Sequence, residues 1–176
     1  MKKLFALMLA LCLLCGCAAM AEEASTITWE EVAPTVEASG VTGEFQLLEG
    51  PGLAVWVPTG MLAAEVSEED AAAGRLALFI AEDQSGYFAV DAVNVPDMTL
   101  DQFFANAQES AAEEVELLNV NGLSGVVYKD PTNDLWSFSL VDTNSNVINF
   151  IMGPASEEGS KEVFSIVLAS IQPYEQ

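Results

Sequence analysis

The chain has 176 residues, 51% hydrophobic and 9% aromatic, the apolar content of a folded domain and unlike a disordered one. All 27 acids follow position 21, where only Arg75, Lys129 and Lys161 oppose them; that part carries −24 of formal charge, too few cations for the basic patch that nucleic acid requires. With no histidine, and with Cys12, Cys15 and Cys17 as the only cysteines, the rest of the chain lacks an imidazole base, a thiol nucleophile, a disulfide and a Cys/His zinc site.

Lys2 and Lys3 precede an 11-residue apolar run, Leu4 to Leu14, which together read as an export signal over residues 1–21. Two cleavage sites overlap behind it. Ala19-Met20-Ala21 suits the ordinary signal peptidase, whereas Leu14-Cys15-Gly16-Cys17 resembles a bacterial lipobox, with Cys15 standing where a small residue is usual. The second cut makes Cys17 the lipid-bearing residue at the outer leaflet of the cell membrane; the first secretes the protein. An uncleaved anchor is the third alternative, because Leu4 to Ala21 carries no charge over 18 residues. Residues 22–27 read as a polar lead-in, and 28–176 as one domain.

Thr28 and Glu31 have capping-box spacing, so a short helix is predicted from Trp29, weakened by Pro34 and stopped by Gly40. “EFQLL” and “LAVWVP” read as strands around the turn “EGPG”. Residues 65–74 form a polar connection with one helical turn at most. “RLALFIAED” and “GYFAVDAVNV” read as a long hairpin, the second alternating with the strand period of two. “MTLDQFFANAQESAAEE” is the clearest helix, with a capping box from Thr99 to Gln102 and a buried stripe of Leu100, Phe103, Phe104, Ala107 and Ala111. Asn121-Gly122 marks a type I′ hairpin between “VELLNV” and “LSGVVYKD”. “LWSFSLVD” and “NVINFIM” flank the turn “TNSN”. A final helix is predicted from near Ser156 to Ile171, with Val163, Phe164, Val167, Leu168 and Ile171 inward and Pro173 as its stop. Strands joined by short turns imply an antiparallel sheet, and helices must cover it: an α+β domain.

The segments “TLDQFFANAQESA”, “VELLNVNGLSGVVYKD” and “FSIVLASIQP” together resemble the PsbP-like superfamily over about residues 27–173, most closely its small exported bacterial members of Firmicutes type. The resemblance implies an α/β/α sandwich acting as a binding or assembly module rather than an enzyme. It implies no cofactor and carries no functional residue across.

The sequence offers three weak chemistries. Asp142-Thr143-Asn144-Ser145-Asn146 opens like a calcium loop but has Val147 and Gly153 where an EF-hand needs glycine and glutamate. Asp130, Asn133 and Asp134 could join it if the strands bring the two turns together; otherwise both are ordinary turns. Glu30/Glu31, Glu68/Glu69/Asp70, Glu113/Glu114 and Glu157/Glu158 would serve a glycan hydrolase only if two acids converged in a cleft. Trp29, Trp56, Trp136, Tyr87 and Tyr128 line either a ligand groove or the core. No G-x-S-x-G elbow and no phosphate loop occurs.

The expected function is therefore a non-catalytic envelope protein binding an unidentified protein or small ligand, with no catalytic, cofactor or metal residue assigned. A glycan hydrolase and a surface calcium module are the alternatives. The high charge serves solubility, or else attraction to a basic partner or to divalent cations. Mass spectrometry of the mature chain checks the lipobox: diacylated Cys17 as first residue is expected, and an unmodified N-terminus at Glu22 overturns it.

Overall fold

The computed structural model describes residues 24–174; the export segment 1–21, and with it Cys17, lies outside the described residues. In chain order the elements are β1 (Ser25–Ile27), α1 (Trp29–Ser39), β2 (Gly43–Leu48), β3 (Leu53–Pro58), β4 (Met61–Ala63), α2 (Glu68–Ala72), β5 (Arg75–Ala81), β6 (Tyr87–Asn94), α3 (Leu100–Glu109), β7 (Glu113–Val120), β8 (Leu123–Asp130), β9 (Leu135–Val141), β10 (Asn146–Gly153), α4 (Ser160–Ala169) and β11 (Gln172–Pro173). Eight strands form one sheet in the order β1-β7-β8-β9-β10-β6-β5-β4, and β11-β3-β2 form a second. Every pairing is antiparallel except β1 with β7. The predicted α+β class is what forms, with the “EFQLL” and “LAVWVP” strands set apart in a sheet of their own.

The alternation of β9 decides the layers. Trp136, Phe138 and Leu140 point to one face, where cross-strand neighbours Met152, Phe150 and Ile148 continue the apolar surface and Phe88 extends it. Trp136 stacks on Phe164 of α4 at 6.5 Å, placing that helix on this face. The same core takes in Leu53, Val55, Trp56 and Val57 of β3 and Val32 and Val36 of α1. Phe88, Phe138, Phe150 and Phe164 are fully buried, each contributing roughly 1.5–3 kcal/mol. Ser137 points the opposite way beside Tyr128, and Tyr128 meets Phe103 of α3 at 6.3 Å. Helices α3 and α4 thus lie on opposite faces of the large sheet.

Gly125 sits beneath Phe138 so closely that a Cβ there would fall 2.6 Å from the ring. The Asn121-Gly122 turn forms as predicted, both residues at positive φ (49° and 87°). Asn121 does more than turn the chain. Its Oδ1 accepts the Trp29 N–H at 2.8 Å, and its Nδ2 donates to the Ala169 and Ile171 carbonyls at 2.8 and 2.7 Å. Its own N–H donates to the Ile27 carbonyl. One side chain therefore satisfies the start of α1 and the end of α4, two of the positions where helices leave backbone groups unpaired.

That arrangement corrects the capping box at Thr28. The threonine makes no side-chain bond to the helix backbone; its Oγ1 donates to Glu31 Oε2 at 2.8 Å, and the helix start is capped by Asn121 from 92 positions away. Residues 25–27 are not a plain lead-in either, since Ser25–Ile27 pair in parallel with Leu118–Val120. The box at Thr99 and Gln102 is present, but α3 ends at Glu109. There the Ser110 hydroxyl donates to the Ala107 carbonyl and accepts the Ala112 N–H, so Ala111 leaves the predicted stripe and is exposed. Glu113 and Glu114 consequently open β7 rather than close a helix. Helix α4 starts four residues later than Ser156, because Ser156 is held by Asp134 and Gly159 at φ 85° interrupts the helical path. It also ends before Pro173, which instead pairs with Leu53.

Asn121→Gly should destabilise the protein by about 2–3 kcal/mol through three lost, partly buried hydrogen bonds. Asn121→Ala should cost about 1 kcal/mol more, because φ 49° is strained for alanine. Urea unfolding of the two variants checks both the size and the order.

Candidate functional site

Helix α3 contacts β7, β8 and β9. Over β10, β6, β5 and β4 the same face continues beyond α3; apart from α4, which packs on β10 from the opposite face, the one helix among the described residues that contacts these strands to a comparable extent is the five-residue α2, at β5. Register places Leu62, Leu78, Ile80, Tyr87, Ala89, Val93 and Ile151 on this face. Leu62 (54% exposed), Val93 (44%) and Ile80 (38%) keep much of their apolar surface in water. The result is an exposed apolar patch of the kind that marks interaction surfaces.

A polar row crosses the patch. Ser139 on β9 lies opposite Asn149 on β10, Asn149 opposite Asp91 on β6, and Asp91 opposite Arg75 on β5. Ser139 Oγ donates to Asn149 Oδ1 at 2.7 Å. Arg75 donates from Nε and, at 3.3 Å, from Nη2 to the two carboxylate oxygens of Asp91. This fork is only about a quarter exposed, and the Asp91 hydrogen bond raises the guanidinium pKa against the effect of burial. A guanidinium has five N–H donors, so three remain beyond the fork. A bulge between Arg75 and Ala77 aims the arginine onto this face.

At Arg75 lies a shallow, open hollow of about 410 Å³, lined also by Leu78, Ile80, Tyr87, Pro154 and the Gln84–Gly86 turn. Its size falls within the usual range for small-molecule sites. Its lining contains no carboxylate.

The sequence-based candidates fall elsewhere. The four acidic clusters sit on separate elements, exposed, at the first turns of α1 and α2, the start of β7 and the turn before α4. Trp56 and Trp136 are core residues, Trp29 lies 5.6 Å from Trp56, and Tyr128 packs on Phe103; of the five aromatics named above, Tyr87 alone lines the hollow. The two oxygen-rich turns are not juxtaposed. They cap opposite ends of the seven-residue β9, about 23 Å apart at a strand's rise of ~3.3 Å per residue. The Asp142 carboxylate is occupied by the Asn146 side-chain amide and the backbone N–H groups of Asn144 and Asn146, at 2.7–2.9 Å. Asp130 is occupied in the same way by Asn133 and Thr132. Among the described residues no group of three metal-type ligands converges.

With the fold in hand, the solution structure of cyanobacterial PsbP (CyanoP) from Synechocystis sp. PCC 6803 superposes with a TM-score of 0.53 at 16% identity, over 76% of this chain and 94% of that one. The fold is PsbP-like. No family model and no curated protein sequence matches the chain. The likeness is one of architecture, so the chemistry of the bare face must be argued from its own residues.

The polar row was missed in the sequence, yet it left a trace. β6, β9 and β10 each place one or two polar residues within an apolar run: Asp91, Ser137 with Ser139, and Asn149. Which of them share a row follows from register, which strand periodicity alone does not give.

The turn aspartates should make stability mildly acid-sensitive. The Asn146 side chain, then backbone N–H groups, hold the Asp142 pKa below its usual value, and Asn133 does the same for Asp130. A depressed folded pKa gives stability that is complete above the unfolded value, about 3.9, and is lost as pH falls through the folded one. Asp142→Asn should therefore lower Tm by a few degrees at pH 7, and the difference from the parent should shrink below about pH 4; thermal scans from pH 2.5 to 7 check it.

Proposed function

We propose that the protein is a non-catalytic binding module of the bacterial cell envelope, exported and tethered at the outer leaflet through a lipidated Cys17. Its binding surface is the bare face of the large sheet. The observation that carries this reading is the hollow at Arg75, which combines apolar lining residues with a fixed cation retaining spare donors. Such a site suits an amphipathic molecule whose carboxylate or carbonyl meets the guanidinium while its hydrocarbon part lies on Leu78 and Ile80. The PsbP-like architecture and the absence of histidine and cysteine beyond residue 17 support a binding rather than a catalytic role.

Titration of the isotope-labelled protein with octanoate tests the reading. The amides of Arg75, Leu78, Ile80 and Tyr87 should shift together. Ile80→Glu places a negative charge at an already exposed position; it should weaken binding at least tenfold and leave Tm within about 2 °C. No shift on this face at millimolar octanoate overturns the assignment.

A further inference from the structure

Among the described residues the two sheets present four edge strands, and three are blunted. β1 and β4 have three residues each, and β11 has two, one of them Pro173. Shortness and proline are the usual defences against edge pairing. β2 has neither. It runs six residues, Gly43–Leu48, in unbroken register with β3, and contains no proline, lysine or bulge.

The register fixes which backbone groups face outward. The Thr59 N–H donates to the Thr42 carbonyl, so the bonded pairs of the hairpin are Thr42/Thr59, Glu44/Val57, Gln46/Val55 and Leu48/Leu53. Trp56, opposite Phe45, directs its N–H away from β2 to Ser170 Oγ at 2.8 Å, in agreement. Gly43, Phe45 and Leu47 therefore aim their N–H and C=O groups at the open edge, where they meet no partner among the described residues. The side chains of Phe45 (39% exposed) and Leu47 (50%) sit half in water beside those groups.

Charge selects the occupant. Glu44 lies exposed on the opposite face of β2, and Glu49 follows the strand. Arg75, Lys129 and Lys161, the cations of the described residues, are ion-paired with Asp91, Glu113 and Glu114 instead. A second copy of the chain would bring the same uncompensated acidic surface to this edge, including its own Glu44 and Glu49, whereas a basic chain meets it with opposite charge. We propose that the β2 edge accepts an extended basic peptide by strand addition, with its apolar side chains beside Phe45 and Leu47 and its lysines or arginines beside Glu44. This surface is separate from the Arg75 hollow, so either assignment stands or falls without the other.

The probe is a capped heptapeptide of alternating lysine and valine, with a glutamate–valine heptapeptide as counterpart, titrated into the labelled full-length chain. The expected results are fast hydrogen exchange at the Phe45 and Leu47 amides without peptide, at least tenfold slowing with the lysine peptide, and no effect of the glutamate peptide. Leu47→Pro removes an outward N–H that no internal bond uses. It should weaken binding at least tenfold, as should Glu44→Lys, which leaves the edge backbone intact and guards against a folding defect in the proline variant. Four results would overturn the proposal: edge amides already protected in the free chain, equal binding of both peptides, shifts confined to Leu62, Leu78 and Ile80, or parental affinity in both variants.

Discussion

Asn121 is the point at which the separate parts of this fold are made to agree. It sits in a left-handed turn that asparagine tolerates well, and its amide reaches the first N–H of α1 and carbonyls at the end of α4. The helices concerned lie at opposite ends of the chain, and the turn belongs to neither. Each of these groups would otherwise be a helix-end donor or acceptor needing water at a partly buried site, where a missing partner costs about 1–3 kcal/mol. The positions of α1, α4, β1 and the β7–β8 hairpin are thus set together by one side chain that uses both amide hydrogens and its oxygen.

Around that tie the large sheet is unequally clothed. On one face α4, α1 and the small sheet close over a continuous aromatic core; on the other, α3 covers the β7–β9 side and stops. The unequal cover follows from length. Ser110 ends α3 after ten residues, too short to cross eight strands. What remains open is apolar at its edges and polar along one row, because the helical layer runs out there.

The electrostatics follow the same economy. Among the described residues each of the three cations is committed to an acid, and Lys161 also lies 4.7 Å from the ring centre of Trp136, next to the bulge that presents Glu114. The carboxylates of Asp130 and Asp142 are occupied by local turn donors, which is why these residues shape turns and do not gather a cation. The net charge is therefore left as a surface field that disfavours like copies and favours basic peptides, and the proposed carboxylate contact at Arg75 relies on a hollow whose own lining contains no carboxylate.

Local chemistry was legible in the sequence: the Thr99 capping box, the Asn121-Gly122 turn, the β5–β6 and β9–β10 hairpins and the α+β class all follow from spacing over fewer than about ten residues. Tertiary structure decided what depends on distant partners. The N-terminus of α1 is capped by Asn121 and not by Thr28, β1 exists because Leu118–Val120 offers it an edge, and Arg75 pairs with Asp91 and falls in one row with Asn149 and Ser139 only through the registers of three strand pairs. Periodicity tells which side of a strand a residue occupies but not which residue stands beside it on the next strand. The fold class could therefore be read from sequence, while the bare face and its polar row had to wait for the sheet that assembles them.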